Sequence, residues 1–185
     1  MASPAQMVDH ELNPIKGWPG PAALDKSKAI HAGETIQRGR VMSIDPVFDE
    51  FVLGAPDNAM PIFAFPSSAD FDVYSDDGNM SGGHGMGLVA TGGFEVETTE
   101  YLGTSFAPNT PLTTHNDADS DKGKVKECDF CVFPPNKETV CICGIVSDAG
   151  PLTNEFRKTV VRFWTVYLPD RVADCWGSGW YLQKP

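Results

Sequence analysis

Glycine and proline punctuation constrains this chain more than any other feature. There are 18 Gly and 15 Pro in 185 residues, against ordinary usage of about 7% and 5%. They recur along the whole chain, so few stretches are long enough for three helical turns. Each Pro removes a backbone donor, and each Gly weakens a helix interior by about 1 kcal/mol. A helical bundle is therefore not expected. Short extended segments joined by turns are.

The runs between the turns are β-branched and aromatic, as strands require. They cover Thr35 to Asp45, Val47 to Leu53, Pro61 to Phe65, Leu88 to Val96 with a break at Gly92-Gly93, Glu127 to Phe133 and Thr139 to Ser147. The strongest is Thr159 to Leu168, in which Val161, Phe163, Thr165 and Tyr167 alternate with Val160, Arg162, Trp164, Val166 and Leu168. Both faces are largely apolar, which predicts a central strand covered on each side. The expected class is all-β: an antiparallel β-sandwich or barrel, jelly-roll-like, with an extended N-terminal arm.

Three regions follow from this pattern. Residues 1–32 read as an extended Pro-rich arm, because Asn13-Pro14, Trp18-Pro19 and Gly20-Pro21 fix φ and remove donors. Ala22 to His31 has the propensity for a short helix but only Leu24 and Ile30 as larger apolar residues, too few for a buried stripe. Residues 33–170 form the β-domain. Residues 171–185 are an aromatic tail with Trp176, Trp180 and Tyr181. Trp18, Pro19 and Pro21 in the arm, with Trp176 and Trp180 in the tail, are the expected partner-binding residues, since interface anchors are enriched in Trp. The arm is expected to serve binding more than folding.

Charge narrows the partners. The formal net charge is −11, which disfavours phosphate backbones that demand clustered Lys and Arg. No run approaches the roughly 20 apolar residues of a membrane span. Met1 to Pro14 lacks the basic and apolar regions of a secretory signal, so synthesis in a cytoplasm with reduced thiols is expected. Neither nucleic acid nor a membrane is an expected partner.

Chemical motifs are sparse. Cys128, Cys131, Cys141 and Cys143 supply the four thiolates that tetrahedral zinc takes. However, Cys141 and Cys143 alternate with Val140 and Ile142 in an apolar run, where thiols pack as small hydrophobes. No metal or other cofactor is expected. Asp117, Asp119 and Asp121 are spaced like the start of a calcium loop, but positions six and twelve are Lys122 and Cys128 instead of Gly and Glu. An exposed acidic hairpin loop accounts for them. Gly83, Gly85 and Gly87 lack the Lys and helix of a phosphate cradle and read as a mobile loop. Hydrolase, zinc-protease and P-loop templates are not matched. Of His10, His31, His84 and His115, His115 lies two residues from Asp117, a proximity the acidic loop explains. A non-enzymatic protein is expected.

The order of features in the core carries a resemblance. Gly33-Glu34-Thr35-Ile36-Gln37-Arg38-Gly39-Arg40-Val41 leads to Ile44-Asp45, and Asn109 to Thr113 leads to Gly123-Lys124-Val125. Cys143-Gly144-Ile145-Val146 and the closing run Thr159 to Pro169 follow. Over residues 33–169 this layout resembles the head decoration, or cement, proteins of tailed bacteriophages. The resemblance implies a non-enzymatic virion protein, made in the host cytoplasm and added to the outer surface of the expanded capsid. It also implies a homotrimer that bridges neighbouring copies of the major capsid protein. The alternative is a small-ligand or glycan-binding β-sandwich, with Trp176, Trp180 and Tyr181 as a stacking platform and Asp117 to Asp121 holding calcium.

Overall fold

The computed structural model describes residues 12–16, 26–55, 59–64, 79–81, 84–89, 93–128 and 142–168. Among these residues the secondary structure is entirely β. Strands β1 (Leu12–Lys16), β9 (Glu95–Thr98), β15 (Thr159–Leu168), β13 (Ile142–Val146), β11 (Pro111–Thr114), β12 (Val125–Glu127) and β10 (Tyr101–Leu102) lie side by side in that order. Strand β14 (Leu152–Thr153) pairs with the start of β15, completing an 8-stranded sheet. A 5-stranded sheet has the order β2 (Lys26–Ala29), β8 (His84–Val89), β6 (Ile62–Ala64), β4 (Val41–Ile44), β5 (Phe51–Leu53). Strands β3 (Thr35–Gln37) and β7 (Asn79–Ser81) form a separate ribbon. The large sheet is not closed, so the architecture is a sandwich and not a barrel. It is also not purely antiparallel, because β10 pairs with β12 in parallel.

The two larger sheets meet through side chains that alternate along their strands. Val41 and Phe63 from the small sheet share a core with Val96, Leu112, Val146, Val161 and Phe163 from the large one. The rings of Phe63 and Phe163 lie 5.4 Å apart and tilted, a geometry favoured by their quadrupoles. On the opposite face of the small sheet, Met42, Phe51, Leu53, Ile62 and Ala64 pack with Ile30 and with Ile36 of β3. Strands β4 and β6 are thus buried on both faces, which is why β6 reads Ile-Phe-Ala with no polar alternation. Gly144 of β13 lies under the Phe163 ring, and a Cβ there would come within 2.5 Å of Phe163 Cδ2. Only glycine lets β13 and that ring pack together.

Strand β15 is central, between β9 and β13. Its inner face, Val161, Phe163 and Thr165, is buried. The outer face is not fully covered: Trp164 is 38% exposed, and Arg162 and Val166 are half-buried.

Residues 1–32, expected as an unpaired arm, contribute two strands. Strand β1 pairs with β9 through Leu12 opposite Thr98, and Leu12 is buried in the main core. Strand β2 pairs with β8, where the propensity for a short helix is overridden by pairing. Pro14 fits because β1 is an edge strand, the one place in a sheet where a missing N–H costs little. The expected mobile glycine loop is likewise partly sheet, since Gly85 and Gly87 lie in β8, opposite Lys28 and Lys26. Among the described residues the edges of the two larger sheets are short or protected: Pro14 and a register shift interrupt β1, two lysines lie in β2, β5 has 3 residues and β10 has 2. Such edges discourage association by strand addition.

Candidate docking site

Among the described residues, the most exposed large apolar side chains stand at the tip of the β4–β5 hairpin. The Asp45-Pro46 turn signal precedes two apolar residues that the sequence pattern joins to the following strand. In the structure, pairing resumes only at Phe51. Val47 is 79% exposed and Phe48 60% exposed.

The tip is nevertheless ordered by its own backbone. Asp45 Oδ1 accepts hydrogen bonds from the Val47 N–H at 2.7 Å and the Phe48 N–H at 3.0 Å. The Asp49 N–H donates to the Asp45 carbonyl at 2.9 Å, and the Asp45 N–H donates to the Glu50 carbonyl at 2.8 Å. Asp49 closes the turn in the left-handed region, φ 57°, which Asp tolerates better than most residues. Pro46 fixes the first turn position. Side chains brace the turn from below. The His31 ring lies 5.0 Å from that of Phe48, and its Nδ1 donates to Glu50 Oε2 at 2.9 Å. Lys28 on β2 forms an ion pair with Asp49.

Hydrogen bonds from Phe48 and Val47 hold the Asp45 carboxyl below its ordinary pKa of 3.8. A depressed carboxyl contributes order that is fully present above the ordinary value and is lost as pH falls through the lower folded value. In an NMR titration the Val47 and Phe48 amide shifts should therefore move with a midpoint below 3.8. A midpoint at or above that value would show that these bonds do not form.

The acidic stretch 115–124 is the β11–β12 hairpin loop, as its composition suggests. His115 Nε2 donates to both Asp119 oxygens, at 3.0 and 3.2 Å, because a carboxylate can only accept. That bond, followed by one from the Asp121 N–H, lowers the Asp119 pKa. Lys124 pairs with Asp121 at 2.8 Å. Arg40 anchors the loop from the core side. Its Nη1 donates to the Ser120 and Lys122 carbonyls at 2.8 and 2.9 Å, and its Nε donates to Glu100 Oε2 at 2.7 Å. Asn116 adds a two-way bond to the Ala55 backbone. These acids are committed to holding a loop, and no group of three or more metal-ligating side chains forms among the described residues.

A second polar cluster lies on the outer face of the large sheet. Glu97 is only 1% exposed. It accepts from Asn154 Nδ2 at 2.7 Å and Arg162 Nε at 3.0 Å, and Arg162 also approaches Asp148 at 3.5 Å. The Glu97 hydrogen bond is the main reason the Arg162 pKa is raised. The neighbouring Glu95, opposite Trp164, is ion-paired with Lys16 at 3.1 Å. The arrangement fastens the loop before β15 to β9.

The partner-binding residues expected from sequence, Trp18, Pro19, Pro21, Trp176 and Trp180, lie outside the described residues, as does Tyr181. Of the four paired-spacing cysteines, Cys128 and Cys143 are buried, with Cys143 Sγ donating to the Leu112 carbonyl at 3.5 Å, while Cys131 and Cys141 lie outside the described residues. Sequence reasoning missed the tip because Val47 and Phe48 look like the start of a strand. The available signal was Asp45-Pro46 ahead of them and Asp49-Glu50 behind, which together enclose a tight turn. No protein-family model matches this chain, and no curated protein or solved structure matches it either.

Proposed function

We propose that this chain is a structural docking domain and, more specifically, a head decoration protein that attaches to the outside of an expanded phage capsid. The observation that carries docking is the ordered Val47–Phe48 tip. Two adjacent large apolar side chains stand in solvent on a turn fixed by two Asp45 side-chain bonds, two Asp45 backbone bonds, Pro46 and the His31 contact. Ordering them beforehand reduces the entropy lost when a partner covers them. The capsid as partner comes from the resemblance over residues 33–169, and so does the expectation of a trimer. A trimer suits weak individual contacts, because three linked sites bind far more tightly than one.

Phe48→Ala should weaken retention on expanded heads by about 2 kcal/mol per site, roughly 30-fold, if the ring is an interface anchor. Thermal unfolding should be almost unchanged, because the ring is mostly solvent-exposed. The measurement is co-sedimentation of the purified protein with expanded heads stripped of it, alongside light scattering for the oligomeric state. Wild-type protein that does not rebind such heads sinks the reading.

A further inference from the structure

We infer that the tip is shaped for a protein socket with an apolar floor and a lysine or arginine at its rim. The inference rests on the docking reading and names the chemistry of the partner.

The charge distribution around the tip carries it. Three carboxylates flank Val47 and Phe48, and two are engaged by basic side chains of this chain: Asp49 by Lys28 and Glu50 by His31. Asp45 differs, since its oxygen accepts two backbone N–H bonds from the apolar residues themselves. Those bonds satisfy the oxygen without an ion pair, and His31, bonded to Glu50, acts on Asp45 only from beyond ion-pair distance. The tip is therefore an apolar knob with a fixed anion at its base. A socket that covered Val47 and Phe48 would also draw Asp45 out of bulk water, where an unpaired charge is costly. A cation at the rim offsets that cost and selects the register of docking. A lipid surface fits less well, because anionic headgroups repel both Asp45 and a chain of net charge −11.

Asparagine separates the two roles of Asp45, because its side-chain carbonyl accepts the same two hydrogen bonds without the charge. The experiment compares wild type, Asp45→Asn and Phe48→Ala on stripped, expanded heads, from low salt to about 1 M NaCl, where screening falls to roughly 3 Å. Asp45→Asn should keep the Val47 and Phe48 amide shifts close to wild type. It should also bind roughly fivefold more weakly at low salt, with a flatter salt dependence. Equal binding and equal salt dependence of wild type and Asp45→Asn overturn the inference alone. Failure of wild type to bind overturns the docking reading, and this inference with it. Tip-dependent binding to phosphatidylcholine vesicles, lost in Phe48→Ala, would make lipid the occupant and overturn the socket.

Discussion

Deleting residues 1–32 is expected to abolish folding of the β-domain, and not merely to weaken its attachment to a partner. The deletion removes β1, the edge neighbour of β9, and β2, the edge neighbour of β8. It also removes buried Leu12 from the main core and buried Ile30 from the second core. Each such aliphatic side chain contributes about 1.5–3 kcal/mol by burial, before the lost ladder hydrogen bonds are counted. A domain of ordinary stability has only about 5–15 kcal/mol in total. The finer variant Leu12→Ala should cost about 2–5 kcal/mol. Circular dichroism and denaturant unfolding of the truncated and full chains make the test. A truncated chain that melts with wild-type cooperativity and midpoint would show that β1 and β2 merely lie against a domain complete without them.

That expectation reverses what the first 32 residues suggest on their own. Their prolines and lack of alternation read as an arm because strand periodicity needs several inward residues to become visible. Strand β1 has one described anchor, Leu12, and β2 is made of Lys, Ser, Lys and Ala. Edge strands of this kind are held by pairing and not by their own pattern. The glycines of β8 hide a strand for a related reason: without side chains, no alternation marks them. By contrast β15 was legible throughout, because β-branched, aromatic and aliphatic residues fill every one of its 10 positions but Arg162. Its half-exposed outer face was not, since apolar residues on both faces do not say whether both are covered. The acidic loop was legible as a loop, but its anchor was not. Arg40 and Glu100 are 60 residues apart, and nothing local in either segment points to the other.

Arg40→Ala should be among the most destabilising single substitutions in the described residues. Arg40 and Glu100 form a buried ion pair at 2.7 Å, with side-chain exposures of 7% and 4%. Removing the arginine leaves a buried carboxylate without its cation, which typically costs about 3–5 kcal/mol. The loss is not confined to the pair. The Ser120 and Lys122 carbonyls lose a charged donor, so the loop 115–124 loosens from the start of β4. Close backbone packing at that junction leaves little room to recover. The Val41 N–H donates to the Gly123 carbonyl at 2.7 Å, and a Cβ on Gly123 would lie 2.8 Å from the Val41 carbonyl oxygen. Pairing Arg40→Met with Glu100→Leu removes both charges and should recover part of the stability, since a buried pair is often matched by apolar residues of similar volume. Full recovery is not expected, because the two loop carbonyls still lack their donor. Urea unfolding of Arg40→Ala, the double variant and wild type measures each step. A cost below about 1 kcal/mol for Arg40→Ala would place this pair with exposed surface bridges, and the core-side anchoring of the acidic loop would have to be abandoned.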